Sequence, residues 1–215
     1  MRVLIAEDEQ LIRTGVRLVL TTDPGIEVVA EAADGREAVE QARRFRPDVV
    51  LMDIRMPNLD GLAATAELRR AVPDSAVVIL TTFGEDEYIA TALDSGATGF
   101  LLKSGDPREL IAGVRAAAEG GAYLSPKVAK RVISGIAPGR PAREADAGAR
   151  VAVLTARERD VLALVGAGLA NAEIARRLHL VEGTVKTHVS AILARLGVRN
   201  RVQAAIVAYE AGMVE

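Results

Sequence analysis

Through the first 120 residues, short apolar runs alternate with stretches of helical periodicity, and the alternation is regular. Runs over 2–6, 26–32, 48–53, 76–81 and 99–102 read as strands; 9–21, 35–44, 61–71, 85–95 and 107–119 read as helices. Strict βα alternation predicts an α/β domain with a five-stranded parallel sheet covered by helices on both faces. Its crossovers are expected to be right-handed. The spacing suits the flavodoxin-like strand order 2-1-3-4-5.

Beyond residue 122 the pattern changes. Tyr123-Leu124-Ser125-Pro126 is expected to open a short helix over about 126–136. The stretch 137–148 has two Pro, two Gly and no periodicity, and reads as a flexible linker. Order resumes at Leu154-Thr155-Ala156-Arg157-Glu158, where Thr155 and Glu158 stand at capping-box spacing. Helices are expected over 156–166, 171–178, 182–196 and 201–211, with Asn171 capping the second and Gly197 stopping the third. The expected division is 1–122 for the α/β domain, 123–150 for a linker helix and flexible linker, and 151–215 for an all-α domain.

Charge divides the same way. Residues 1–122 carry 13 Lys/Arg and 21 Asp/Glu, a net of −8. Residues 123–150 carry a net of +4 and 151–215 a net of +2. An acidic front and a basic back suit a metal site followed by a polyanion-binding region. There is no Cys, which removes disulfides and thiolate metal sites. No apolar run approaches the length of a membrane span, and acids at Glu7 and Asp8 come too early for a signal peptide. A cytoplasmic protein with no membrane association is expected.

The strand tips carry the chemistry. Val49-Val50-Leu51-Met52 ends in Asp53, Val3-Leu4-Ile5-Ala6 runs into Glu7 and Asp8, Val77-Val78-Ile79-Leu80 ends in Thr81, and Phe100-Leu101-Leu102 runs into Lys103. Open α/β sheets place their sites at the carboxyl ends of strands. Three acids, one hydroxyl and one lysine gathered there suit a divalent metal and a phosphoryl group. Any one of them alone would be a solvated residue after a strand; the joint placement is what is specific.

In the C-terminal third, 172–189 reads as helix, tight turn, helix. His179 falls in the turn, where a left-handed residue is needed and His is tolerated. At 100° per residue, Val185, Val189, Ile192, Leu193 and Leu196 share one face of the second helix. Gly183, Thr187, Ser190 and Ala194 share the other, with Lys186 at its edge. Such a small, polar, cationic face can approach base edges in a major groove about 12 Å wide. The two His lack partners at metal spacing, so zinc is not supported.

The strand-tip set resembles the receiver domain of two-component response regulators, and the C-terminal third resembles the LuxR/NarL (NarL/FixJ) type of helix-turn-helix domain. The receiver resemblance implies that Asp53 accepts a phosphoryl group from a sensor histidine kinase. It implies Mg²⁺ (or Mn²⁺) held by Asp8, Asp53 and the backbone carbonyl of Arg55, with Glu7 acting through water. Lys103 and Thr81 would contact the phosphoryl group, and Phe100 would rotate inward as Thr81 moves toward it. The LuxR-type resemblance assigns DNA contacts to Thr184, Lys186, Thr187, His188 and Ser190, and a homodimer contact to part of the stripe Val202, Ala205, Ile206, Tyr209 and Met213. Together these imply a transcriptional regulator that binds promoter DNA and dimerises on phosphorylation, not a dedicated enzyme. Three departures stand out. Glu7 replaces a frequent Asp; Arg55 and Phe83 flank the pocket at positions that tune phosphate lifetime; Val181 replaces a frequent Ser or Thr that would cap the second helix and donate to phosphate.

Two other readings compete. A haloacid-dehalogenase-type phosphatase needs a second Asp two residues after the nucleophile, and Arg55 stands there. A nucleotide-cofactor enzyme needs G-x-G-x-x-G after the first strand, where this chain has Ala6-Glu7-Asp8-Glu9. A DNA-binding regulator whose receiver works through protein or ligand contacts, without phosphorylation, remains the alternative.

Overall fold

Apolar residues on consecutive positions need cover on both faces, and the sheet shows this directly: all five residues of the third strand are buried. The computed structural model describes residues 1–81, 87–124 and 140–214. Their contacts separate into two units, one of residues 1–118 with the strand at 123–124, the other of residues 119–122 with 140–214.

The first unit is a parallel sheet with strands β1 (Arg2–Ala6), β2 (Glu27–Ala32), β3 (Val49–Asp53), β4 (Ala76–Thr81), β5 (Gly99–Leu102) and β6 (Tyr123–Leu124) in the order β2-β1-β3-β4-β5-β6. Helices α1 (Gln10–Leu20), α2 (Gly35–Phe45), α3 (Gly61–Ala71), α4 (Glu87–Ser95) and α5 (Pro107–Ala118) connect them. Side chains alternate across the sheet. Val3, Ile5, Val49, Leu51, Val78, Leu80 and Leu101 pack on one side with Leu20 of α1 and with Val114 and Ala117 of α5. The expected five-strand order holds, with one strand added at the edge. Tyr123-Leu124 pairs with Gly99-Phe100. The unfilled edge of β5 outweighs the local turn signal, because its backbone groups gain partners there.

Asp34 and Asp60 cap α2 and α3, accepting from the backbone N–H of Glu37 and of Ala63, each at 2.8 Å. The same Asp34 accepts from Asn58 Nδ2 at 2.6 Å, and Gly35 N donates to Leu59 O at 3.1 Å. The loop between Asp53 and α3 is thereby pinned to the start of α2.

The second unit contains helices α6 (Arg140–Ala152), α7 (Ala156–Gly166), α8 (Asn171–Leu178), α9 (Glu182–Leu196) and α10 (Arg201–Glu210). α6 corrects the flexible-linker reading over its length; 125–139, including the helix expected over 126–136, lies outside the described residues. Pro141 falls in the first turn, where a missing N–H costs no helical hydrogen bond. The Ala-rich remainder favours helix, and Ala147 and Val151 are buried in the same core as Val161, Leu162, Ile174, Val185 and Ile192. That burial, which periodicity in an Ala-rich stretch hides, is what orders it.

Candidate functional site

Parallel strands bring their carboxyl ends to one edge, and β1, β3, β4 and β5 are neighbours. Residues separated by tens of positions therefore meet. Asp53 ends β3, Thr81 ends β4, Glu7 and Asp8 follow β1, and Lys103 follows β5. Lys103 Nζ lies 2.8 Å from Glu7 Oε2 and 2.8 Å from Asp53 Oδ1. The Lys103 N–H donates to Thr81 O at 2.9 Å, tying the tips of β4 and β5. Carboxylate oxygens of Glu7, Asp8 and Asp53 lie within 4.8 Å of one another. All five sequence-derived pocket residues are thus brought together.

Burial sorts them. Glu7, Asp53 and Thr81 are buried, whereas Asp8 is exposed at the mouth. Burial raises the pKa of the Glu7 carboxyl; Asp53 adds to the rise, and the Lys103 ammonium opposes it. Burial would depress Lys103, but Asp53 and Glu7 outweigh it and the ammonium is held above its ordinary value. Lys103 therefore stays charged. Glu7 Oε2 is in ion-pair reach of that ammonium and, among the described residues, has no further hydrogen-bond donor, so this buried oxygen keeps acceptor capacity. Three carboxylates facing one ammonium leave an excess of negative charge. An all-oxygen, partly open cluster of this kind fits a hard divalent cation such as Mg²⁺. Arg55 follows the strand tip, and its guanidinium lies 5.9 Å from the centroid of the Tyr88 ring. Phe100 is fully buried on β5, opposite Ile79. Phe83 lies outside the described residues.

Two supports escaped the sequence. A Cβ on Gly61 would lie 1.8 Å from Asp53 O, so only Gly lets α3 start against the strand tip. Arg13 donates to Glu7 O and pairs with Glu31 at 3.1 Å, fixing the turn after β1. Arg13 sits in an ordinary amphipathic helix and no local pattern marks it; the Gly was visible, but its reason is a contact.

In the second unit, α8 and α9 flank a turn in which His179 is left-handed, φ 54°, as the turn requires. Val185, Ile192 and Leu196 point into the core, while Thr184, Lys186, Thr187 and Ser190 are exposed and His188 is half-buried. Lys186 pairs with Glu182 at 3.2 Å, an exposed i,i+4 pair that a phosphate can displace. Val181 offers no side-chain cap, as its chemistry dictates. Asn171 is corrected: α8 is capped at Ala170, whose N–H donates to Glu173 Oε2 at 2.8 Å. Asn171 instead is buried and accepts from Arg201 at 2.8 Å. Burial lowers the pKa of Arg201 to about 10, and its other contacts include Leu169 O. The Thr155–Glu158 capping box forms as expected, and Glu158 also pairs with Arg195 of α9 at 2.8 Å.

A flavodoxin-like domain with an acidic strand-tip pocket, followed by a helix-turn-helix domain, defines a phosphorelay-type DNA-binding regulator. Sequence comparison agrees. Residues 3–115 match the response regulator receiver domain family, and residues 152–208 match the luxR family of bacterial regulatory proteins. The chain is 38% identical over its whole length to the uncharacterized transcriptional regulatory protein YxjL of Bacillus subtilis (strain 168), covering 98% of that protein. It is 37% identical to the transcriptional regulatory protein DegU of Brevibacillus brevis, covering all of this chain and 95% of that one. Among solved structures, the response regulator ChrA of a heme-sensing two-component system matches with 35% identity and a TM-score of 0.54, over 99% of this chain and 98% of that one. The protein belongs to the two-component transcriptional response regulators with a LuxR-type DNA-binding domain.

Proposed function

We propose that Asp53 is the phosphoacceptor through which a sensor histidine kinase controls this regulator. The observation that carries it is the placement of Lys103 Nζ 2.8 Å from both Asp53 and Glu7 at the edge formed by the strand tips. A carboxylate oxygen of Asp53 attacks the phosphorus of a phosphohistidine; the P–O bond forms, the P–N bond breaks, and the imidazole leaves. Lys103 stabilises charge on the transferring group, and Thr81 offers a hydroxyl to its oxygens. Glu7, Asp8, Asp53 and the Arg55 carbonyl would hold Mg²⁺ or Mn²⁺. When bound, the cation offsets repulsion between the attacking carboxylate and the phosphoryl oxygens. Arg55 stands two residues after Asp53, where a dehalogenase-type phosphatase carries its second Asp, which supports a self-modifying switch over a dedicated enzyme.

The exposed face of α9, with Thr184, Lys186, Thr187 and Ser190, and His188 beside it, is the surface proposed to enter promoter DNA. A phosphorylated homodimer acting in the cytoplasm completes the reading. It is supported by the joining of a receiver to a DNA-binding domain; among the described residues, no helix is long and apolar enough to cross a membrane. Incubation with acetyl phosphate and Mg²⁺ should give acid-labile phosphate on the protein and none on Asp53→Asn. Undiminished incorporation in that variant would give the phosphate to another residue.

A further inference from the structure

The receiver carries a second charged site, on the surface between α2 and α3. A groove of about 560 Å³ is lined by Arg36, Val39, Glu40, Arg43, Arg44 and Glu67. A smaller hollow of about 230 Å³ shares Arg43 and Glu67 and adds Arg70 and Ala71. On α2, positions 36, 40, 43 and 44 fall on one face at helical spacing. Four guanidiniums against two carboxylates make this spot positive on a segment whose net charge is −8.

The arginines are not committed elsewhere. Arg36 approaches Glu67 only at 3.7 Å. Among the described residues, no carboxylate stands within ion-pair distance of Arg43, Arg44 or Arg70. Arg43 and Arg44 stand in the last turn of α2 and Arg70 in that of α3, where their charge suits the helix dipole, but the end carbonyls take their hydrogen bonds from other residues. Arg2 donates to the Phe45 and Arg46 carbonyls at the end of α2, and Arg46 closes that helix in the left-handed conformation. Arg69, not Arg70, donates to Pro73 O after α3, at 3.2 Å. Arg44 stacks on the Phe45 ring at 5.1 Å from its centroid, which holds the guanidinium without neutralising it.

We propose that this groove binds a pyrophosphate-bearing anion. Guanidinium forks match phosphate oxygens in pairs and stay charged at any working pH. Two adjoining hollows that share Arg43 suit two linked phosphoryl groups better than one. The groove volume lies within the range of small-molecule sites, about 300–1,000 Å³. With Glu40 and Glu67 the local balance is still two positive charges, which favours a polyanion such as a pyrophosphate group. Free pyrophosphate and a nucleoside diphosphate share this chemistry.

The test is calorimetric titration of the full-length protein carrying Asp53→Asn, without divalent cation, so that the strand-tip pocket does not contribute. Pyrophosphate, ADP and orthophosphate are the probes. Saturable one-site binding of pyrophosphate or ADP, weaker for orthophosphate, is expected. Adding Arg43→Ala and Arg44→Ala should weaken it at least about tenfold, while adding Arg108→Ala, at an exposed arginine outside the groove, should leave it unchanged. ADP binding tighter than pyrophosphate names a nucleotide as the source; the reverse names the free anion. No saturation at millimolar concentrations overturns the proposal, as does equal affinity in the double-Arg variant. So does a loss of DNA affinity in that variant with no pyrophosphate binding, which would give the face to DNA.

Discussion

Single residues set the pocket's tolerances. Gly61 is where α3 meets the strand tip, and a methyl group there would sit 1.8 Å from Asp53 O. Gly61→Ala should destabilise the receiver by about 3 kcal/mol through forced backbone displacement. Urea unfolding checks this, and a change under 0.5 kcal/mol would show that the helix start yields freely. Glu158 is the counterpart in the second unit. Its carboxylate accepts from Thr155 N and Oγ1, each at 2.8 Å, and pairs with Arg195. The backbone hydrogen bond from Thr155 is the main cause holding its pKa below the ordinary 4.5. A depressed carboxylate contributes stability above its unfolded pKa and loses it as pH falls through the folded value. The difference in melting temperature between the native protein and Glu158→Gln should therefore be full at neutral pH. It should shrink as pH falls below about 4.5, and a difference that is flat from pH 7 to pH 3 would contradict the assignment.

Elements decide which faces are free to work. In α9 the apolar spacing buries Val185, Ile192 and Leu196 and leaves Lys186, Thr187 and Ser190 outside. Lys186→Ala should cost about 1–3 kcal/mol of DNA binding and relax preference at one base pair if Lys186 reads a base. If it contacts only phosphate, affinity should fall evenly across sequences with a shallower salt dependence. Gel-shift titrations at several salt concentrations separate the two, and undiminished binding would take α9 out of the DNA interface. The element limits matched expectation closely where caps and periodicity agreed, as for α7 with its Thr155–Glu158 box and α9 with left-handed Gly197 behind it. They failed where a long-range partner outweighed a local signal. β6 forms because β5 offers an open edge, α6 because a core accepts Ala147 and Val151, and Asn171 leaves its capping role because Arg201 needs a buried acceptor.

Across the molecule, the proposed control by phosphate would have to shift a population, which requires different contacts in the two states. DNA affinity of the full-length protein should rise with a phosphoryl donor and Mg²⁺, and its mass by light scattering should move toward a dimer. A dimer raises the effective concentration of its second half-site. Equal affinity and equal mass in both states would favour a receiver that works without phosphate. The residue order alone determined the βα alternation, the helix-turn-helix and the five strand-tip residues, because all are written in local periodicity and in what ends each run. Only the tertiary structure decided that Lys103 bridges Glu7 and Asp53, that Arg13 braces the turn beneath them, that Gly61 must be Gly, and that Arg43 of α2 and Arg70 of α3 line one hollow. Those contacts join residues far apart in the chain, and their energies depend on distance and burial, which no local pattern encodes.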